Sequence, residues 1–142
     1  MKKFFLSTVF ALMALCASAL SIGDSFSVDD LTYVLKSYGV RGSSYPGVWV
    51  TGLSDAGKAK SDLLLYIPTT ITYNGATYCV KQVDMQAFAD ATNLTGANIG
   101  YGITDIGVWA FQNCTNLESV HIPSSISNIS SGAFMGCSAL KS

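Results

Sequence analysis

The sequence predicts a β-rich α/β solenoid, a short stack of repeats behind an N-terminal β-hairpin cap. Two observations carry that expectation. The first is a spacing: Val83, Ala87, Phe88 and Leu94 return as Ile106, Ala110, Phe111 and Leu117, and again as Ile129, Ala133, Phe134 and Leu140, each step being 23 residues. A fixed period of this size marks a repeat architecture in which each copy buries its apolar side chains only against its neighbours. The second is an Asn-Gly pair, Asn74-Gly75, between β-prone flanks, the strongest short-range signal for a hairpin because both central residues of its turn need positive φ.

Taken in order, the chain opens on a targeting segment. Lys2 and Lys3 precede a largely apolar run from Phe4 to Ala17, and Ala17-Ser18-Ala19 supplies the small residues required by signal peptidase. Residues 1–19 are therefore expected to be a signal peptide, cleaved after Ala19. The run is short for a membrane span, and Leu15 before Cys16 is a poor fit to a lipoprotein cleavage site. The expected location is secreted or cell-surface, with no transmembrane segment after cleavage.

Removing Lys2 and Lys3 from eight basic residues leaves six against nine acidic ones, a net charge of about −3. Such a balance offers no footprint for nucleic acid or anionic lipid. The remaining length suits one domain with a modest core.

Residues 20–62 do not repeat and read as the N-terminal β cap segment. Leu31 to Leu35 and Val48 to Leu53 are β-prone runs separated by Gly39, Gly42, Pro46 and Gly47, which suggests a hairpin or small meander. Ser54 to Asp62, with Lys58 and Lys60, reads as a solvated loop. The repeats are expected over 63–142. Ile67-Pro68 matches Ile122-Pro123, with Ile99-Gly100 as the middle copy. The first copy carries an insertion, residues 72–80, containing the Asn-Gly hairpin; terminal repeats are commonly atypical because they close one end of a stack. The last copy reads as incomplete at Leu140-Lys141-Ser142, and an open end with apolar stubs predicts self-association or marginal stability.

Within one copy, Phe111, Cys114 and Leu117 are spaced by three, as on one side of a short helical turn. Val120 and Ile122 alternate with Ser119 and His121, the period of a strand with one buried face. Three cysteines follow the signal segment. Cys114 and Cys137 are one period apart, and Ala91 fills the same slot in the earlier copy, so the slot calls for a small apolar group and the thiols read as a free, buried ladder; a Cys114–Cys137 bridge is the alternative. Paired-cysteine metal spacing is absent, and His121 is the only histidine.

The pattern Ile106-Gly107, Ala110-Phe111, Asn113-Cys114, Leu117, Val120, Ile122-Pro123 resembles the BspA-like leucine-rich repeats of bacterial surface proteins, a 23-residue class. The resemblance covers Leu63 to Ser142, with Gly100 for Pro, Ala91 for Cys, and Asp84 and Ser130 for Gly as departures. It implies a short leucine-rich-repeat stack and an extracellular, non-enzymatic protein used for adhesion to host proteins or other cells.

Candidate contact residues follow from alternation. In such folds, residues alternating with the buried strand positions face outward on the concave sheet: Leu64 and Tyr66, Gly96 and Asn98, Ser119 and His121. Gly96 has no side chain, so Tyr66, Asn98 and His121 form the continuous ladder. The candidate partner-binding set is Tyr66, Asn98, Ser119, His121 and Trp109. Trp109 stands where the neighbouring copies have Gln86 and Gly132, and reads as a shield over the adjacent repeat's backbone or as an exposed aromatic anchor.

No catalytic, cofactor or metal site is expected. Nothing near His121 resembles a nucleophile elbow, and Asp84, Asp105 and Glu118 fall at different points of the repeat frame. The function expected is a secreted or cell-surface binding module recognising an extracellular protein or glycan, host matrix included. The alternative is a structural capping fragment of a longer repeat protein.

Overall fold

The computed structural model describes residues 20–40 and 43–141, so the signal-peptide reading lies outside the described residues. The cap begins with β1 (Ser25–Val28) and β2 (Leu31–Val40), paired antiparallel so that Phe26 stands opposite Tyr33. Asp29, at φ 51, makes the tight connection between them. β2 pairs antiparallel with β3 (Ser43–Leu53), giving the expected hairpin with longer strands than the β-prone runs suggest. β1 had no counterpart in the sequence reading.

Residues 54–62 are more ordered than a solvated loop. Ser54, buried, caps a four-residue helix α1 (Asp55–Lys58): its Oγ accepts from Gly57 N and donates to the Asp29 carbonyl. Gly57 lies so close to the cap that a β-carbon there would sit 2.3 Å from the Asp30 oxygen. Lys60 pairs with Asp30 at 2.6 Å, and the Asn93 side-chain amide donates to the carbonyls of Gly57 and Lys60. The segment is thus a clasp between the cap and the first complete repeat. Its polar composition hid this, because the bonds that hold it reach residues some thirty positions away.

β4 (Leu63–Ile67), β5 (Thr70–Tyr73) and β6 (Ala76–Val83) follow. β5 and β6 form the anticipated hairpin, with Asn74 at φ 49 and Gly75 at φ 78 in its turn. Tyr73 brings this hairpin back to the cap: its ring stacks on Phe26 at 4.3 Å between centroids. β3 and β6 pair in parallel from Gly47↔Cys79 to Val50↔Val83, which splices the cap onto the repeat ladder.

The remaining strands are β7 (Leu94–Ile99), β8 (Asp105–Ile106), β9 (Ser119–His121) and β10 (Asn128–Ile129). They extend two separate sheets. One is seven-stranded, in the order β1-β2-β3-β6-β8-β10 with β5 on β6; the other is three-stranded, in the order β4-β7-β9. Every pairing between successive repeats is parallel. The core lies between these sheets and the turns that join them.

The recurring residues of the first two copies fill that core, while Ile129 and Leu140 of the last copy are 47% and 37% exposed. Val83, Leu94, Ile106, Phe111, Cys114 and Leu117 are fully buried, and Phe88 nearly so. Phe88, Phe111 and Phe134 stack ring on ring at 5.0 and 5.2 Å, within the separation that favours offset aromatic pairs. Cys114 Sγ donates to the Phe88 carbonyl at 3.1 Å and Cys137 Sγ to the Phe111 carbonyl at 3.0 Å. Both thiols are free, with Cys114 buried and Cys137 half-buried, while Cys79 is free and exposed.

The three-residue spacing of Phe111, Cys114 and Leu117 does bury one side, but through a run of separate turns in place of a helix. Cys114 N bonds to Phe111 O and Leu117 N to Cys114 O, while Asn113 at φ 56 interrupts any helical continuation. Helix among the described residues is confined to α1, so the fold is strand-rich with very little α content. On β9, Val120 is half-buried and Ile122, just beyond the strand, is 39% exposed. The expected buried face is incomplete there because β9 is the outer strand of its sheet and has a neighbour on one side.

Candidate partner-binding groove on the three-stranded sheet

β4 alternates between core and solvent, and β7 follows it except at Gly96, which is buried on the outward row. Leu63, Leu65 and Ile67 point inward, and Leu64 and Tyr66 are 70% and 61% exposed. Parallel pairing places Tyr66 opposite Asn98 and Asn98 opposite His121, so the three side chains stand in one row across the strands. The adjacent row runs Leu64, Gly96, Ser119. A β-carbon on Gly96 would meet Leu64 Cδ1 at 2.6 Å, which shows that the leucine side chain leans across the space left by the glycine.

The strands end at Ile67-Pro68, Ile99-Gly100 and just before Ile122-Pro123, and the ladder continues there into a shallow groove of ≈ 600 Å³. Tyr66, Asn98 and His121 line it together with Thr69, Tyr101 and Ser124. Tyr101, 69% exposed, projects from the turn after β7. That turn is held: Gly102, at φ +98, donates its N–H to Ser125 Oγ at 3.0 Å, and the same hydroxyl donates to the Ile103 carbonyl at 2.8 Å. Tyr66 also borders a second hollow of ≈ 420 Å³ on its other side, formed with Asp29, Asp30, Leu64 and Pro68.

The structure brings together three of the five residues singled out by sequence. Ser119 is exposed on the neighbouring row, opposite Gly96, and does not line the groove. Trp109 lies away from it, in the turns that follow β8, where its amide donates to the Ser131 carbonyl and its indole lies against Gly132. Tyr101, between Gly100 and Gly102, is absent from the candidates that strand alternation supplies. The available signal was an aromatic residue between two glycines just after a strand end, a place where a large side chain has little backbone around it to bury against.

His121 is the one imidazole in the groove. The lining carries no carboxylate, lysine or arginine, and no grouping of histidine, cysteine and acidic residues that could hold a metal is present among the described residues. What the lining can do is stack flat apolar surface on two tyrosines and exchange hydrogen bonds with hydroxyl, amide and imidazole groups.

Comparison with solved structures gives the same repeat architecture. A leucine-rich repeat protein from Bacteroides ovatus is 32% identical, with a TM-score of 0.68 over 82% of this chain and 28% of its own. One from Bacteroides capillosus is 24% identical, with a TM-score of 0.67 over 82% of this chain and 78% of its own. A leucine-rich cell surface protein from Faecalibacterium prausnitzii is 24% identical, with a TM-score of 0.65 over 87% of this chain and 30% of its own. The chain thus spans less than a third of the first and last of these proteins. No curated protein matches it in sequence. Residues 69–142 match the family described as the BspA type leucine rich repeat region (6 copies), a segment that accommodates about three copies at the 23-residue period seen in the chain. With its repeat frame stacked as that match requires, the chain belongs to the BspA-type leucine-rich-repeat family.

Proposed function

We propose that this chain is an extracytoplasmic, non-enzymatic binding module, a short solenoid that recognises an extracellular protein or glycan partner through the outward face of β4, β7 and β9. Membership of a leucine-rich-repeat family makes it a protein-interaction module by class. The observation that carries the reading to a particular face is the in-register row of Tyr66, Asn98 and His121, exposed across three parallel strands, the inner faces of β4 and β7 being committed to the core. An exposed aromatic on a rigid sheet is a favourable anchor because little conformational freedom is lost when it is covered.

Support for the location comes from the signal anatomy of residues 1–19 and from the cell-surface description of the Faecalibacterium prausnitzii relative. No helix among the described residues is long and apolar enough to cross a membrane.

The test is array binding of the folded chain to extracellular matrix proteins and to glycans, with Tyr66→Ala and His121→Ala as paired variants. Saturable binding weakened by both substitutions is the expected result. A folded sample that retains no ligand from either array counts against the module, and hydrolase turnover abolished by His121→Ala would overturn its non-enzymatic character.

A further inference from the structure

We infer that the groove at the C-terminal ends of β4, β7 and β9 binds a neutral oligosaccharide, with Tyr66 and Tyr101 as stacking platforms and Asn98 and His121 as the polar groups beside them. The inference rests on the binding-module reading above and specifies its partner. It includes a residue, Tyr101, that lies outside the repeat strands.

Three features of the groove select this chemistry. The first is charge. No carboxylate, lysine or arginine lines the groove, so a phosphate, a sulfated chain or a strongly charged peptide would find no permanent counter-charge there. The second is the hydrogen-bonding repertoire. Asn98 has a donor and an acceptor end, the His121 ring nitrogens add hydrogen-bonding capacity, and the hydroxyls of Thr69 and Ser124 act in both senses. A ligand dense in hydroxyl groups, each a donor and an acceptor, matches that set; a bundle of apolar side chains from a protein leaves most of it unpaired.

The third feature is the aromatic pair. Tyr66 and Tyr101 are 61% and 69% exposed, and neither packs against a partner ring among the described aromatic contacts. Each can place its flat face against the apolar C–H face of a sugar ring while its hydroxyl stays wet. The platforms are already positioned. Tyr66 is on a paired strand, and the Ser125 hydroxyl holds Gly102 and Ile103, the two residues that follow Tyr101. Such preorganisation matters for a ligand of this kind, whose individual contacts are weak.

Size agrees as well. Successive strands of a sheet are about 4.8 Å apart, so the row from Tyr66 to His121 spans about 10 Å. That suits a few linked rings better than one. The groove's ≈ 600 Å³ also lies within the range of small-ligand sites.

The experiment is calorimetric titration of the folded full chain with a panel of neutral oligosaccharides, namely gluco-, manno-, xylo- and N-acetylglucosamine oligomers, with heparin-derived oligosaccharides as the charged control. Extracellular matrix proteins are run on an array in parallel. Tyr66→Ala, Tyr101→Ala and Asn98→Ala are compared with Trp109→Ala, which lies off the groove. Circular dichroism and melting curves confirm that each variant is folded, and the exposure of both tyrosines makes that the expected outcome.

The inference predicts saturable binding of at least one neutral oligomer, insensitive to salt, weakened about tenfold or more by either tyrosine substitution and unchanged by Trp109→Ala. Absence of binding by every neutral oligomer overturns it, as does binding that survives the Tyr66→Ala, Tyr101→Ala double variant. Preference for heparin fragments with strong salt dependence also overturns it. Protein-array binding lost on Tyr66→Ala, with no oligosaccharide bound, overturns the saccharide inference and leaves the binding module standing. Silence in both arms overturns both.

Discussion

The indole of Trp109 lies directly against the backbone of Gly132, one full repeat ahead of it. A β-carbon built on Gly132 would be 2.5 Å from Trp109 Cδ1 and 2.7 Å from Nε1. The two residues occupy the same slot of successive copies, and both are left-handed, Trp109 at φ 55 and Gly132 at φ 66. A large side chain in this slot is therefore accommodated by a missing one in the next.

Gly132→Ala is expected to destabilise the fold by about 1–3 kcal/mol, from left-handed strain combined with overpacking. In the Trp109→Ala background the steric part disappears. Chemical unfolding of the two single variants and the double variant should thus give a favourable coupling between the sites, and strict additivity would show that the indole does not confine Gly132.

The phenylalanine stack has graded sensitivity. Phe111 is fully buried with a ring on either side, at 5.0 Å from Phe88 and 5.2 Å from Phe134. Phe134 is half-buried and stacks on one described neighbour. Phe111→Ala should cost about 3–5 kcal/mol, and Phe134→Ala distinctly less, since part of its surface is already in water. Equal losses in urea unfolding would contradict this packing gradient.

Legibility in the sequence tracks whether a structural demand is local or periodic. The 23-residue frame could be read because residues that stack on each other in space are the same kind of residue at fixed intervals. The hairpin could be read because Asn74-Gly75 announces its own backbone conformation. The left-handed slots could not: Gln86, Trp109 and Gly132 share φ and nothing else, as do Asp90, Asn113 and Gly136 to a lesser degree. Strand β1 and the clasp around Ser54 were also hidden, since their partners, Tyr33, Asp29 and Asp30, are set by tertiary pairing and have no repeat to betray them. In the groove, simple alternation placed Tyr66, Asn98 and His121 correctly in one row. Tyr101 escaped because it belongs to a turn, where no periodicity says which way a side chain faces.

The cysteine ladder makes stability depend on alkaline pH. Burial, then the neighbouring Cys137, pushes the Cys114 thiol from 9.0 up to about 12; burial also raises Cys137. The folded chain therefore holds the Cys114 proton through a range in which the unfolded chain has lost it. The stabilisation is fully present below about pH 9 and is lost as pH rises toward 12, at up to about 1.4 kcal/mol per pH unit for one thiol. Tyr33, whose phenol is raised first by burial and then by Asp29, adds to the same decline. Cys114→Ala, the residue that Ala91 supplies in the earlier copy, should flatten the fall between pH 9 and 11 in denaturant titrations; an unchanged slope would show that Cys114 does not contribute.

Gly100 tests whether the family pattern or the local backbone decides a position. The matching residues of the flanking copies are Pro68 and Pro123, so Gly100→Pro looks like a repair. The geometry says otherwise. Gly100 donates its N–H to the Ile67 carbonyl at 2.8 Å, and a β-carbon there would sit 2.6 Å from that same oxygen and 2.8 Å from Thr69 N. Proline removes the donor, leaves the carbonyl of a fully buried residue without it, and drives its ring into the preceding repeat. Gly100→Pro is expected to lower stability by about 3 kcal/mol or more, and Gly100→Ala, which retains the N–H, by less. A proline variant that melts at or above the parent temperature would show that the two repeats separate here without cost, and that the turn carrying Tyr101 is not fixed by the strand end before it.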